Sequence, residues 1–460
     1  MNKTIKDISL EIGSGITPLR SNELYWNSSD IPWIKTEQLG QYRIFDSMEY
    51  ISDFALEDTN IRLWSPYTVS VAMYGEGKTR GNVSILMIET TTNQACCNIK
   101  VNDALADYRF LYYWLKNNYE NLRALSAGVR KNLNADDIKN FPFPENSLSE
   151  QEKIADILSV VDDKIELNSK ICSELEAMSK TLYDYWFVQF DFPDENGKPY
   201  RTSGGEMVWN ELLKREIPKE WKPGKLCDIA NITMGQSPAG ESYNDAGDGL
   251  IFYQGRTDFG LRFPTPRMYT TAPTRFAQKG DILLSVRAPV GDLNFAMEDC
   301  CIGRGLAALN SKLGSQMHLF YTLVGFQQIF KVMDGNGTTF GSITKDTLFD
   351  MSVVIPPDEI LMCFEKRVKP IESKIEKCEE EIRELTKLRD WLLPMLMNGQ
   401  ATVVDAEEEE SGKVFSYMPQ TVEVRQAARN FGDKETDDTA DLVQAYLRRK
   451  QHDSKTQKRN

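Results

Sequence analysis

The feature that most constrains the fold of this chain is an internal duplication. The segment KDISLEIGSGITP, which ends at Pro18, is echoed by LCDIANITMGQSP, which ends at Pro238. Farther along, SPYTVSVAMY is echoed by QKGDILLSVR, and LNADDIKNFPFP by ITKDTLFDMSVVIP. The offset between the copies drifts from about 220 to about 210 residues, as expected when two copies collect separate insertions. The chain is therefore predicted to contain two similar domains.

Each copy ends in a long helical pattern. Apolar or small residues recur at steps of four and three from Ile154 to Trp186, and again from Phe364 to Leu396, 210 positions later. This alternation is typical of a coiled-coil seam. The single narrow stripe on each helix predicts that the two helices pair with each other. The residues predicted to pair them are Ile154, Leu158, Val161, Ile165, Leu175, Leu182, Phe364, Val368, Ile371, Ile375, Ile382, Leu385 and Leu392.

Other residues of these helices have predicted roles. Ser149 and Glu152 match a capping box at the start of the first helix, and Asp358 is placed to cap the second. Asn168 occupies a seam position, where an unpaired amide is costly, so we expect it to fix the register. Pro370 is expected to kink the second helix early or to delay its regular start. The alternative, two unrelated surface helices, would not require a shared register with the duplicated domains.

The segments upstream of the helices indicate an α+β fold. Short β-rich runs at 66–74, 83–89 and 95–101 are broken by glycine-bearing loops, and runs at 280–287, 293–297 and 305–309 match them. The predicted division is a first domain (1–145), a first long helix (146–190), a polar linker (191–215), a second domain (216–356), a second long helix (357–399) and a charged tail (400–460) that we expect to be largely disordered.

Composition argues against several classes of enzyme and against a membrane protein. Histidine occurs only at His318 and His452, which removes most routes to a Ser-His-Asp triad or a His-rich metal site. The eight cysteines form no C-x-x-C pattern and are interpreted as reduced thiols of a cytoplasmic protein. No run of about 18 apolar residues occurs, so no membrane span is predicted. The net charge of −14 is concentrated in 145–198, and the two large domains, being near neutral, can still present a basic face.

The stretch AMYGEGKTRG, residues 72–81, resembles the end of a phosphate-binding P-loop but lacks its first glycine. A β-branched, alternating segment follows it, whereas a P-loop requires a helix. Gly75 and Gly77 allow a sharp turn that would project Lys78, Thr79 and Arg80 from the rim of a sheet. Arg287 holds the equivalent place in the second copy. Cations on short glycine loops suit guanine edges and backbone phosphates in a DNA groove.

Further polar loops fall at matching places in the two copies, and their side chains suit base edges and phosphates. Any single one of them can instead be a solvated hairpin tip. The candidate DNA-binding residues are Lys35, Thr36, Gln38, Lys78, Thr79, Arg80, Arg130, Lys131, Asn132, Gln254, Arg256, Arg287, Arg304, Thr338 and Thr339. Neither a catalytic residue nor a metal ligand is predicted.

Over about residues 1–400, the chain resembles the specificity subunit of type I restriction–modification enzymes. The resemblance rests on the Gly-x-Thr/Ser-Pro motif at 15–18 and 235–238, on YGEGKTRG…TTNQACC, on GDILLSVRAPVG…GRGLAAL and on FPFPENSLSEQEKIADIL. It implies two target recognition domains, 1–145 and 216–356, joined by two antiparallel helices with pseudo-two-fold symmetry. Each domain would read one half of a bipartite, asymmetric site on double-stranded DNA.

The resemblance also implies partners. A non-catalytic specificity subunit recruits two methyltransferase subunits and, for restriction, motor–nuclease subunits, and S-adenosylmethionine, ATP and magnesium belong to those partners. This sequence departs from the pattern in two places. The second copy reads VVIPPDEILMCFEKRV, without the Glu-Gln that usually follows the prolines, and the tail beyond about 403 has no counterpart.

Three other functions remain open from the sequence. The chain could serve as the same kind of subunit in another methyltransferase–nuclease system. It could be a nucleotide hydrolase or nuclease that uses the 72–81 loop, or a coiled-coil adaptor that does not bind DNA.

Overall fold

The computed structural model describes residues 3–75, 77–126, 132–330 and 342–403. The chain divides into two compact units, Met1–Leu167 with Ile382–Asn460 (unit 1) and Asn168–Glu381 (unit 2). Each long helix contributes one part to each unit. No helix among the described residues is both long and apolar enough to cross a membrane. Most of the predicted tail, residues 404–460, lies outside the described residues.

Among its described residues, unit 1 contains eight strands, several short helices and one part of each long helix. Its strands are β1 (Ser9–Ser14), β2 (Ile31–Ile34), β3 (Arg43–Ile44), β4 (Glu49–Ile51), β5 (Thr68–Ala72), β6 (Val83–Leu86), β7 (Thr91–Thr92) and β8 (Cys96–Val101). Its helices are α1 (Glu23–Trp26), α2 (Asp53–Asp58), α3 (Tyr108–Asn117), α4 (Tyr119–Ala124), α5 (Ala135–Lys139) and the first part of α6 (Leu148–Tyr183). The strands form two sheets, ordered β1-β8-β5-β6-β3 and β4-β2-β7.

Unit 2 repeats this plan with additions. Its strands are β9 (Met207–Asn210), β10 (Arg215–Pro218), β11 (Lys222–Lys225), β12 (Ala230–Met234), β13 (Tyr243–Asn244), β14 (Leu250–Tyr253), β15 (Tyr269–Thr270), β16 (Phe276–Ala277), β17 (Ile282–Ser285), β18 (Leu293–Phe295), β19 (Cys300–Ile302), β20 (Leu306–Ser311) and β21 (Ser352–Ile355). Its helices are α7 (Leu226–Ile229), α8 (Gln316–Gly325), α9 (Lys345–Phe349) and the first part of α10 (Asp358–Met397).

The sheets of the two units share one topology. The order β1-β8-β5-β6 in unit 1 corresponds to β12-β20-β17-β18 in unit 2, and β4-β2-β7 corresponds to β15-β14-β19. The parallel pair of β2 and β7 recurs as β14 and β19. The central strands β5 and β17 are buried along their whole length, as expected for apolar strands flanked by neighbours on both sides. The predicted duplicated α+β fold is therefore confirmed.

The long helices pair antiparallel within each unit. In unit 1 the start of α6 packs with the end of α10, and Ile154 and Leu158 share one core with Leu393 and Leu396. In unit 2 the start of α10 packs with the end of α6, and the rings of Tyr183 and Phe364 lie 6.2 Å apart. The core of each unit thus includes both helices.

The residues predicted to pair the helices all avoid full exposure. Seven are buried: Ile154, Leu158, Val161, Phe364, Val368, Ile375 and Leu385. Six are partly exposed: Ile165, Leu175, Leu182, Ile371, Ile382 and Leu392. Asn168 is also buried, and its Nδ2 donates to Glu381 Oε2 at 2.8 Å. That cross-helix bond can be made in one register only, which is the role expected of the amide.

Several expectations about the helices and their connection are wrong, namely the two caps, the delayed start at Pro370 and the polar linker. The capping box is formed by Ser147 and Glu150, whose carboxylate accepts from the Ser147 N–H at 2.8 Å, because the helix begins at Leu148. Asp358 is the first residue of α10, and the chain is helical through Pro370, so that proline does not delay its start. Pro370 lies on the exposed side, where water can hydrogen-bond to the carbonyl freed by its missing N–H.

A further difference concerns the segment 191–215, which is predicted from sequence to be a polar linker. Its second residue, Phe192, is buried and stacked on Trp221 with ring centroids 5.0 Å apart. It continues into the antiparallel hairpin of β9 and β10. Aromatic residues around a polar Gly/Pro stretch therefore tie this segment to the core of unit 2.

Buried titratable groups are consistent with a structural role. Cys96 and Cys97 are free thiols in strand β8, and burial raises the pKa of each to about 12.

Gln151, from the Glu-Gln pair that follows the prolines of the first copy, is buried; its Nε2 donates to the Asn146 carbonyl at 2.9 Å, and its Oε1 accepts from the Asp107 N–H at 3.2 Å. Leu361, 210 positions later, is buried instead. The missing Glu-Gln of the second copy is thus replaced by an apolar contact.

His318→Phe should make the stability of unit 2 less sensitive to acid. His318 lies 4.6 Å from the ring of Phe187, and burial lowers the pKa of its imidazole to about 3. The unfolded chain, with a histidine pKa of about 6.5, binds this proton where the native chain does not. His318 therefore favours the native state fully above about pH 6.5 and progressively less as the pH falls toward 3. Urea unfolding of both proteins across this range checks the prediction, and parallel stability curves would contradict it.

Candidate nucleic-acid interface

One edge of unit 1 collects the ends of four strands, β1, β2, β5 and β7. Three backbone hydrogen bonds join the segments that leave them: Asn93 N to Ile34 O at 2.9 Å, Ile16 N to Thr92 O at 2.9 Å and Met73 N to Ala95 O at 2.8 Å. A fourth, from Leu133 N to Met73 O at 3.1 Å, adds the segment before α5. We call this the strand-end edge of unit 1, and its polar side chains are Thr17, Lys35, Tyr74, Gln94 and Asn132.

Unit 2 has the same edge, built by the same bonds. Gly303 N donates to Tyr253 O at 2.9 Å, Gln236 N to Ile302 O at 3.0 Å, Val286 N to Gly305 O at 2.9 Å and Ile343 N to Val286 O at 3.0 Å. The strand-end edge of unit 2 accordingly carries Ser237, Gln254, Arg287, Arg304 and Ser342. One backbone framework thus presents two different sets of side chains.

These bonds correct one predicted equivalence. Arg287 follows Val286 as Tyr74 follows Met73, so Arg287 corresponds to Tyr74 and not to the Lys78 region. The loop closes with Gly81 N on Ala72 O in unit 1 and with Gly291 N on Ser285 O in unit 2, both at 2.9 Å. The unit 1 loop is three residues longer, and the only cation in the unit 2 loop is Arg287, so unit 2 has no cation equivalent to Lys78 or Arg80.

The longer loop is held by helix α4. Tyr119 donates its hydroxyl to the Lys78 carbonyl at 2.6 Å, and Arg123 Nη1 donates to the carbonyls of Gly77 and Arg80 at 2.9 and 3.0 Å. Gly77, with φ of +59°, adopts a left-handed conformation that favours glycine. Strand β6 follows the loop, so no helix N-terminus stands behind Lys78 as a P-loop would need.

Arg123→Ala should loosen this loop. Hydrogen bonds from a charged donor contribute about 1.5–3 kcal/mol, so amide exchange in 77–81 should become roughly ten- to a hundredfold faster. Hydrogen exchange read by mass spectrometry measures it. Arg62→Ala, which removes an exposed arginine on Glu11, is the matched control. Unchanged exchange in 77–81 would show that α4 does not hold the loop.

The predicted DNA-binding residues occupy different environments. Lys35 is held between Glu37 and Glu49 at 2.5 and 2.6 Å, and the hydrogen bond to Glu37 raises its pKa. Arg256 pairs with Asp292. Within the described ranges, no salt bridge is found for Lys78, Arg287 or Arg304, and all three are exposed.

The remaining predicted residues divide into polar neighbours and undescribed positions. Thr36 and Gln38 lie in a short 3-10 helix beside Lys35, and Gln38 Oε1 accepts from the Lys35 N–H at 3.4 Å. Thr79 is partly buried against Gly75, Arg80 is partly buried, and Gln254 and Asn132 are exposed. Arg130, Lys131, Thr338 and Thr339 lie outside the described residues.

The candidates chosen from sequence omitted five side chains of the strand-end edges, namely Thr17, Tyr74, Gln94, Ser237 and Ser342, and the loop-holding pair Tyr119 and Arg123. The signal for Thr17 and Ser237 was available in the shared Gly-x-Thr/Ser-Pro motif. In the described part of the chain, no group of three His, Cys, Asp or Glu side chains is arranged to hold a metal ion.

Comparison with known proteins agrees with this architecture. The family of type I restriction modification DNA specificity domains matches residues 1–177 and 218–384. The MjaIX type I restriction enzyme specificity subunit of Methanocaldococcus jannaschii is 29% identical over 87% of this chain and 93% of its own length. A second protein of that organism, provisionally named as the MjaX specificity subunit, is 30% identical over 80% of this chain and 82% of its own length.

A solved structure supports the fold. The type I restriction–modification S subunit of M. genitalium superposes with a TM-score of 0.52 at 20% identity, covering 86% of this chain and 95% of that one. The family matches two segments of the chain, in agreement with the two copies found in the sequence and with the repeated sheet topology. The chain therefore belongs to the family of type I restriction–modification specificity subunits.

Proposed function

We propose that this chain is the non-catalytic DNA-recognition subunit of a type I restriction–modification complex, and that each strand-end edge reads one half of a bipartite site. Residues 1–145 and 216–356 are then the target recognition domains, and 146–190 and 357–399 the spacer helices. The observation that carries the proposal is one backbone framework, fixed by matching hydrogen bonds, with different polar side chains in the two units. Such a pair of readers suits an asymmetric site.

The side chains of the edges have the chemistry that DNA recognition needs. Gln and Arg can make bidentate hydrogen bonds to adenine and guanine in the major groove, and hydroxyls can contact either bases or phosphates. Lys78 adds an exposed ammonium on the longer loop of unit 1. The two edges differ at the aligned pairs Lys35 with Gln254, Tyr74 with Arg287 and Gln94 with Arg304, so the two half-sites should have different base sequences.

The paired helices are proposed to set the distance between the two half-sites. Support comes from their continuous helical ranges and from the seam bond between Asn168 and Glu381, which fixes register. A separation of about one turn of DNA, roughly 34 Å, would place both readers on one face of the duplex. Two methyltransferase subunits and the motor–nuclease subunits are the proposed partners, and they would supply S-adenosylmethionine, ATP and magnesium.

Methylation mapping tests the proposal. The chain is expressed with a type I methyltransferase subunit from the same source in a host lacking other adenine methylation, and methylated adenines are located by single-molecule sequencing. We expect the methylated adenines to lie in a bipartite site, which consists of two different short base sequences separated by a spacer of unspecified sequence. A single continuous word, or no methylation dependent on this chain, would refute the proposal. Service in another methyltransferase–nuclease system would give the same motif but a different nuclease partner in pull-downs.

A further inference from the structure

The centre of each strand-end edge is a tight turn between two strands. In unit 1 it is Asn93–Ala95, between β7 and β8, and in unit 2 it is Gly303–Gly305, between β19 and β20. The middle residue is Gln94 in one unit and Arg304 in the other, and both are exposed. Since the turn lies between the ends of two other strands, its exposed middle residue lies at the centre of the edge.

The backbone of the two turns is fixed in the same way. The first residue of each turn donates to the end of β2 or β14, and the last accepts from the residue after β5 or β17, all at 2.8–2.9 Å. A glycine then packs against each turn. A Cβ on Gly15 would lie 1.9 Å from the Thr92 carbonyl oxygen, and a Cβ on Gly235 would lie 2.2 Å from the Gly303 carbonyl oxygen. Because the glycine is packed so closely, the backbone of each turn has little freedom to move. The position of the middle residue is therefore fixed before DNA binds.

Each turn is also joined to a hydroxyl of the Gly-x-Thr/Ser-Pro motif. Thr17 donates its hydroxyl to Gln94 Oε1, which orients the amide with its Nε2 donors available to a ligand. In unit 2 the hydroxyl of Ser237 accepts instead from the Arg304 backbone N–H at 3.4 Å, which leaves the guanidinium unengaged by that residue. The motif therefore supports the same turn in both units.

We propose that Gln94 and Arg304 are equivalent base-reading residues, one in each half-site, and that Arg304 reads a guanine while Gln94 reads an adenine. This inference rests on the proposed function and assigns the specificity of its two edges to one aligned position. Arg to guanine O6 and N7, and Gln to adenine N6 and N7, are the bidentate pairs that the major groove offers. A fixed backbone favours base recognition, because a bidentate pair of hydrogen bonds tolerates little displacement of the side chain. A phosphate contact does not require such exact placement.

The test uses the full chain assembled with its methyltransferase subunits. Binding is measured on the duplex identified by methylation mapping and on duplexes carrying each single base-pair change. For Gln94→Ala we expect discrimination to fall roughly ten- to a hundredfold at one adenine of one half-site and to persist at every other position. For Arg304→Ala we expect the same at one guanine of the other half-site. Lys279→Ala, at the opposite end of β17, is the control and should change neither.

The results for these variants decide the inference. Relaxed discrimination at one position of the appropriate half-site supports it, as would a switched base preference in Gln94→Arg or Arg304→Gln. Equal weakening on every duplex would identify a backbone contact and overturn it, and so would unchanged binding of both alanine variants. If the wild-type complex itself fails to discriminate among the duplexes, the proposed function fails and the inference falls with it.

Discussion

Arg262→Ala should lower the free energy of unfolding of unit 2 by about 3–5 kcal/mol, because it leaves a buried carboxylate without its partner. Arg262 is only 4% exposed, and its guanidinium pairs with Glu372 and, at 3.1 Å, with Glu176. The guanidinium also lies 4.3 Å from the ring centroid of Phe320. Burial raises the pKa of Glu372, and Arg262 acts in the opposite direction by favouring the carboxylate. Denaturant unfolding at neutral pH measures the loss.

Two controls separate this effect from lost packing. Glu176→Gln removes the more exposed carboxylate and should cost no more than about 1 kcal/mol. In the double variant Arg262→Met/Glu372→Leu, no charge remains buried, so stability should recover part of the loss. The deficit of Arg262→Ala should also shrink as the pH falls, since protonation removes the unpaired charge of Glu372. A loss equal to that of Glu176→Gln would contradict the account.

Gly235→Ala should displace the central turn of the unit 2 edge. The added Cβ would meet the Gly303 carbonyl oxygen at 2.2 Å, and the strands on both sides are hydrogen-bonded neighbours that must move together. Overpacking of this kind typically costs about 1–3 kcal/mol. If Arg304 reads a base, its displacement should also weaken binding to the specific duplex roughly ten- to a hundredfold.

Gly240→Ala is the matched control, because a Cβ at that position meets nothing within 4 Å. It should leave both stability and binding close to those of the wild type. Thermal unfolding and binding of the assembled complex are the two measurements. Wild-type stability and binding in Gly235→Ala would show that the turn yields without cost.

The duplication and the helix pairing could be predicted from sequence because both repeat regularly along the chain. Positions such as Ile154 and Phe364 share a period, and the helical seam needs no knowledge of distant contacts. The exact start of the first long helix could not be predicted from the local sequence. Ser147 with Glu150 and Ser149 with Glu152 match the same capping pattern, and only the position of the first helical turn distinguishes them.

The strand-end edges could not be assembled from sequence alone. Gln94 and Arg304 become equivalent through bonds between segments distant along the chain, such as Met73 N to Ala95 O and Val286 N to Gly305 O. The sequence analysis instead matched Arg287 to the Lys78 region, because both place a cation at the end of a predicted strand. Tyr119 and Arg123 gave no signal because their function is to hold carbonyl groups, which any sequence possesses.

The most direct test of the central claim, that the paired helices set the distance between two half-site readers, is a matched insertion. Seven residues are added after Leu167 in α6 and seven after Glu381 in α10, next to the bond between Asn168 and Glu381, so that both seams stay in register. Each helix lengthens by about 10 Å, which corresponds to about three base pairs. Mapping methylated adenines should then show the same two half-site sequences separated by a longer spacer. An unchanged spacer, with methylation retained, would contradict the account.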